Sequence, residues 1–360
     1  MKNKMRKLML FGFAAVLSLS LLVTGCSDDG DPDPTTSSGP DTTPGNGAVV
    51  NVARATWSTG WFQAEVFINA LEKLGYDVKD PVTLDNPAFY NAIATGDVDF
   101  WANGWFPIHN TYLSIIEGKG EIVGEFAMGG ALQGYLIDKA TAEANGITSI
   151  DDFNDPAIAE LFDTDGDGKA NLVACPPGWG CELVIDYQIE EYGLLDNINI
   201  TKAAYEVAMA DVVAKHNAGE PIFFYTWTPN WTVNALVPGE DVVWLEVPYP
   251  ALPESQAAYL DATKVAGLVG KAGTDEPYDM GWPANDIQVV ANSAFLAANP
   301  AAAYILENVQ IPLEDIFEQN FQMYEGDDRP EDIIQQAKDW IAANQTLFDS
   351  WIQGAIDAAN

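Results

Sequence analysis

Apolar and polar positions along the chain switch repeatedly between the period of a strand and the period of a helix. Residues 48–56 (AVVNVARAT) alternate and predict an opening strand. From Gln63 to Leu74 apolar residues recur at helical spacing, and Gly75 supplies a stop. YDVKDPVTL (76–84) restarts as a strand, Phe89–Gly96 reads as a short helix ending on glycine, and VDFWA (98–102) as a further strand. A second run opens at GYLID (134–138). It continues through a helix in TAEANG, a strand around Ala170–Ala174, a helix after Cys181 and the strand PIFFYTW (221–227). A third run opens at DIQVVAN (286–292). Amphipathic helices follow in NPAAAYILENV and PLEDIFEQNFQMY, then a long one from Pro330 to Leu347. Strands alternating with helices predict an α/β fold with parallel or mixed sheets. No internal repeat of fixed period is present.

The N-terminus breaks this pattern. Lys2, Lys4, Arg6 and Lys7 precede the apolar run MLFGFAAVLSLSLLV, so residues 1–25 read as an export signal, too short and wrongly flanked for a permanent span. The run ends in Val23-Thr24-Gly25-Cys26, which resembles a bacterial lipobox and implies cleavage before Cys26 with lipid on its thiol. An ordinary secretory signal followed by a chance cysteine is the plainer alternative. SDDGDPDPTTSSGPDTTPGNG (27–47) has no hydrophobic period, so residues 26–47 are expected to be a disordered tether to the outer face of a membrane. No later stretch approaches 18 uninterrupted apolar residues.

Charge and composition narrow the function. Loss of residues 1–25 removes four basic and no acidic residues, taking the net charge from −37 to −41. So acidic a surface argues against nucleic acid or anionic lipid as partner. The excess reads as a solvated surface rather than a sign of a cationic substrate. With Cys26 assigned to lipid, Cys175 and Cys181 are left as a pair in a disulfide-permissive compartment. Only His109 and His216 are available for imidazole chemistry, and no nucleophile elbow, zinc-helix motif or phosphate loop occurs. Carboxylates are plentiful, so a glycosidase-like acid pair stays open, though nothing singles out one pair. Asp163, Asp165, Asp167 and Gly168 match the first half of a calcium loop, with Asn171 at the ninth position, but Ala174 stands where a bidentate glutamate belongs. The alternative is an Asp/Gly-rich turn.

Eleven tryptophans are present, and most sit near strand ends or in turns beside Gly, Pro, Thr or Asn. Trp57, Trp61, Trp101, Trp105, Trp179, Trp227, Trp231 and Trp282 fall in such places, whereas Trp340 and Trp351 lie on amphipathic helices and are expected to pack. Indole faces suit sugars and quaternary ammonium groups. The latter form no strong hydrogen bond, which leaves cation–π attraction and shape to hold them.

ANGWFPIHN (102–110), DTDGDGKANLVACPPGWGCE (163–182), FFYTWTPNW (223–231) and PGEDVVWLEVPYPALP (238–253) resemble the glycine betaine/proline betaine-binding proteins of ProU-type ABC importers, from about residue 50 to the C-terminus. The resemblance implies a two-lobed type II periplasmic substrate-binding protein with a ligand cleft between its lobes. The expected lobes are 48–133 plus 286–360, and 134–285, with the chain crossing at GYLID and DIQVVAN. The implied ammonium box is Trp105, Trp179 and Trp227; the implied carboxylate site is His109 with the N–H groups of Gly180 and Cys181. The implied protein is no enzyme and takes no cofactor; its implied partners are a small zwitterionic ligand and a separate permease and ATPase, serving osmoprotection, with the receptor a monomer. Trp57, Trp61 and Trp282 exceed the expected pattern and leave the choice of betaine open. A receptor for choline, carnitine or another quaternary amine is one alternative. A secreted carbohydrate-binding or hydrolytic protein is another.

Overall fold

The computed structural model describes residues 42–360. The export signal, Cys26 and most of the expected tether lie outside the described residues. Ten strands build two five-stranded mixed sheets. The first runs β2 (Val82–Leu84), β1 (Val52–Ala55), β3 (Phe100–Phe106), β10 (Asn285–Asn292), β4 (Gly120–Ala131). Here β1 pairs parallel with β2 and β3, and β10 is antiparallel to β3 and β4. The second runs β9 (Val242–Trp244), β5 (Gln133–Asp138), β8 (Phe223–Trp227), β6 (Ala170–Val173), β7 (Ile198–Thr201). β6 is parallel to its two neighbours, and β5 antiparallel to β8 and β9.

The chain leaves the first sheet at Ala131 and enters the second at Gln133, with only Leu132 between. Leu132 N–H donates to Thr228 Oγ1 (3.2 Å), and Thr228 N–H donates to the Leu132 carbonyl (2.8 Å). The third run of the sequence forms no separate layer, because β10 enters the middle of the first sheet. Phe67 meets Phe100 and Phe126 in the apolar core beside that sheet, while Phe153 stacks on Phe223 beside the second.

Helix α1 (Trp61–Lys73) packs beside the first sheet, and three helices bear on the site: α2 (Asn86–Thr95), α3 (Gly180–Glu191) and α4 (Tyr205–Asn217). For α2 the signals are local: the Asp85 carboxylate accepts from Ala88 N–H at the start, and Gly96 takes φ +79° at the end. The expected long helix from Pro330 to Leu347 is two helices, Pro330–Ala343 and Gln345–Ala359. The break is Asn344, which leaves helical geometry and donates its amide to the Trp340 carbonyl. Across it Trp351 stacks on Trp340, which meets Phe62 edge-on, so both tryptophans pack as expected. Among the described residues no helix is long and apolar enough to cross a membrane.

Candidate ligand-binding site

Strand β3 is buried throughout, and alternation puts Trp101, Asn103 and Trp105 on one face. On β8 the same rule aligns Tyr225 with Trp227, and the register sets Trp227 opposite Gln133 of β5. The third contribution is the turn CPPGWGCE (175–182). A Cys175–Cys181 disulfide closes it, as expected from cysteine usage. Gly178 takes φ +87° inside it, and Glu182 accepts Gly178 N–H (2.7 Å) while pairing with Lys202.

These segments bring Trp57, Trp105, Trp179 and Trp227 around one cavity, each more than nine-tenths buried. Trp227 meets Trp179 (centroids 5.6 Å, 71°) and Trp105 (6.5 Å, 82°), while Trp57 meets Trp179 (4.9 Å, 70°). The cavity measures about 320 Å³ including its open side. Asn103 Oδ1 accepts the indole N–H of both Trp57 (2.6 Å) and Trp105 (2.9 Å). Thr56 Oγ1 accepts that of Trp179 (2.9 Å). Tyr205 packs behind Trp179 and Trp227, with its hydroxyl on Thr226 Oγ1. Three of the four indoles, those of Trp57, Trp105 and Trp179, are therefore fixed by their edges, leaving faces for a ligand.

His109 stands on the same wall, 2% exposed. Trp105 N–H donates to its Nδ1 (3.2 Å), and the Tyr90 hydroxyl lies 3.1 Å from the same atom. An amide N–H only donates, so Nδ1 carries a lone pair. Burial lowers the pKa to about 3, so the ring is neutral and its proton sits on Nε2. Nε2 lies 3.0 Å from the amide nitrogen of Asn86, whose Oδ1 has no partner. Exchanging the two amide branches sets Oδ1 against Nε2–H and removes both conflicts.

Gly180 and Cys181 begin α3, where main-chain N–H groups lack intrahelical acceptors. Both residues line the cavity. A Cβ on Gly180 would stand 3.1 Å from Ile108 Cγ1 and 3.3 Å from His109 Cδ2, so this close approach favours glycine. Thus the structure gathers Trp105, His109, Trp179, Gly180, Cys181 and Trp227 on one cavity. No Asp, Glu, Lys or Arg is among its lining residues.

Other residues singled out in the sequence lie elsewhere. Trp61 stacks under the Arg54 guanidinium (3.7 Å) and donates to the Ala55 carbonyl, away from the cavity. Trp282 is buried against Tyr135 and Tyr225, behind the wall rather than on it. His216 lies near Asp241 (3.8 Å). Carboxylate oxygens of Asp163, Asp165 and Asp167 converge within 4.8 Å, with no fourth carboxylate among the described residues. The turn closes on its own bonds: Asp163 accepts N–H groups from Asp165, Gly166 and Gly168, which holds its carboxyl below the usual range, and Asn171 accepts from Thr164. Asn86, Asn103, Gln133 and Tyr225 belong to the site but not to the sequence expectation.

A two-lobed receptor with an aromatic, uncharged cleft is the class that fold and site define. The family model for the substrate-binding domain of ABC-type glycine betaine transport systems matches residues 48–343. The glycine betaine-binding periplasmic protein OusX of Dickeya dadantii is 41% identical over 89% of this chain and 93% of its own length. The glycine betaine/proline betaine-binding periplasmic protein of Escherichia coli is 40% identical over 88% and 92%. The crystal structure of the glycine betaine/L-proline-binding protein ProX from Borrelia burgdorferi superposes with a TM-score of 0.66 at 16% identity, covering 87% of this chain and all of that one, which shows the shared fold. The chain belongs to the family of substrate-binding domains of ABC-type glycine betaine transport systems. That family comprises binding components of importers rather than enzymes.

Proposed function

We propose that the protein is an extracytoplasmic receptor for glycine betaine or proline betaine that delivers its ligand to an ABC importer for osmoprotection. The observation that carries this reading is the pairing, in one uncharged cavity, of indole walls with the first main-chain N–H groups of α3. A quaternary ammonium gains about 0.5–2 kcal/mol from each indole face. Trp105, Trp179 and Trp227 supply those faces, with Trp57 beside Trp179. The carboxylate then accepts from the N–H groups of Gly180 and Cys181, at the positive end of α3, and takes a share of His109 Nε2–H, which it divides with Asn86 Oδ1. A zwitterion brings its own counter-charge, whereas choline would leave a cation in a cleft without a carboxylate, which is costly. His109 and the helix N-terminus would also have no anion to hold.

The lobes are residues 48–133 with 286–360, and 134–285, closing on the ligand and excluding water. The chain is a lipoprotein anchored through Cys26, working as a monomer with a separate permease and ATPase. Calorimetry of the mature chain against glycine betaine, proline betaine, choline and a panel of neutral glycans tests the reading. Heat with the betaines is expected; a protein that binds only glycans, or only choline, contradicts it. In His109→Ala, betaine affinity falls far more than choline affinity, and equal losses exclude the carboxylate role.

A further inference from the structure

Gln133 opens β5, is 3% exposed and lines the cavity. The two branches of its amide meet different fates. Oε1 accepts the Tyr225 hydroxyl at 2.5 Å. Nε2 is buried yet has no hydrogen-bond partner. Tyr225 is buried too, and among the described residues its hydroxyl proton finds no acceptor other than Gln133 Oε1, which fixes the orientation of the amide. The cross-strand register places Gln133 opposite Trp227, whose own indole N–H is buried without a partner. Buried donors left unpaired are rare in native proteins, so an acceptor from outside the chain is called for here.

We propose that Gln133 is a specificity-determining ligand contact. Its Nε2–H donates to the carboxylate of the bound betaine and favours carboxylate-bearing over carboxylate-free quaternary amines. The inference rests on the betaine reading of this cavity. An ionised carboxylate offers about four lone-pair sites and no proton. That is enough to take His109 Nε2–H, the two N–H groups of α3 and the Gln133 amide together. A choline hydroxyl offers two lone pairs in place of about four and no negative charge to strengthen the bonds it accepts.

Gln133→Glu tests this with little change of shape. Glutamate keeps an oxygen for the Tyr225 hydroxyl and replaces the donor by an acceptor. Titrated calorimetrically at pH 8.5, the variant is expected to bind glycine betaine at least ~30-fold more weakly, with choline affinity unchanged or improved. Betaine affinity equal to that of the unaltered protein overturns the inference, as does an equal loss for both ligands. Tyr225→Phe, which releases the amide, provides a second readout should the first variant fold poorly. A loss of about 3- to 10-fold for glycine betaine, with choline unchanged, is expected; no loss overturns it. Absence of betaine binding in the unaltered protein brings down the underlying reading instead, and is recognised before any variant is compared.

Discussion

Asn103 Oδ1 accepts two indole N–H groups, from Trp57 and from Trp105, so one amide sets two walls of the cleft. Asn103→Leu leaves both donors buried and unpaired, at about 1–3 kcal/mol each. Urea unfolding is expected to show a loss of ~2–4 kcal/mol, and betaine affinity should fall with it; a loss under ~0.5 kcal/mol would show that the indoles find other acceptors. His109 gives a prediction in pH. Its pKa is lowered from 6.5 to about 3 in the folded protein, so between those values the unfolded chain binds more protons and stability falls as pH falls. By pH 5 this amounts to about 2 kcal/mol. His109→Asn should flatten that part of the Tm–pH profile, and an unchanged slope would assign it to other groups. Six of the cavity residues were legible because Trp, His and the GWGCE turn belong to recognisable blocks. Trp57 was visible without a role, and Asn86, Asn103 and Gln133 were not visible at all. An amide side chain acquires meaning only from what the fold sets beside it, such as Tyr225 beside Gln133 or His109 beside Asn86.

At the scale of elements, the turn from Cys175 to Cys181 joins β6 to α3 and presents Trp179 together with two free main-chain N–H groups. The disulfide closes a short ring, which chain-entropy arithmetic values at about 2 kcal/mol. Cys175→Ala/Cys181→Ala should lose roughly that stability and also bind betaine more weakly, because the turn is no longer preorganised. Lost stability with full affinity would restrict the bridge to a structural role. Most elements followed from period and punctuation, as in α2, whose end at Gly96 was expected although it starts at Asn86 rather than Phe89. Strand β4 did not, because GEIVGEFAMGGA carries glycines that blur its alternation. Gly124, at φ +63°, shifts the register against β10 where helix Pro300–Asn308 approaches; a Cβ there would stand 2.4 Å from the Leu306 carbonyl oxygen. The C-terminal helix escaped for another reason. Apolar spacing continues across Asn344, where the backbone leaves helical geometry at φ −108°, ψ 28°.

At the scale of the molecule, three side-chain hydrogen bonds among the described residues join segments of the first sheet to segments of the second across the cleft. Trp179 donates to Thr56, the Tyr112 hydroxyl to the Gly178 carbonyl (3.0 Å), and the Ser58 hydroxyl to Glu206 (2.9 Å). Glu206 also accepts the Trp231 indole (2.7 Å), so it is held while it holds Ser58. If the lobes close on the ligand as proposed, weakening one of these bonds acts on ligand release more than on capture. Glu206→Ala is expected to raise the betaine dissociation rate in stopped-flow fluorescence about 3- to 10-fold, with little change in association; an unchanged rate would remove Glu206 from closure. The central claim is that one cleft reads both charges of a zwitterion, indoles at one end and N–H donors at the other. A crystal structure of the glycine betaine complex measures this most directly. The trimethylammonium group is expected between Trp105, Trp179 and Trp227, with the carboxylate within hydrogen-bond distance of Gly180 N, Cys181 N and His109 Nε2, and of Gln133 Nε2 on the further inference. A ligand bound in the reverse sense, or bound outside this cleft, would contradict it.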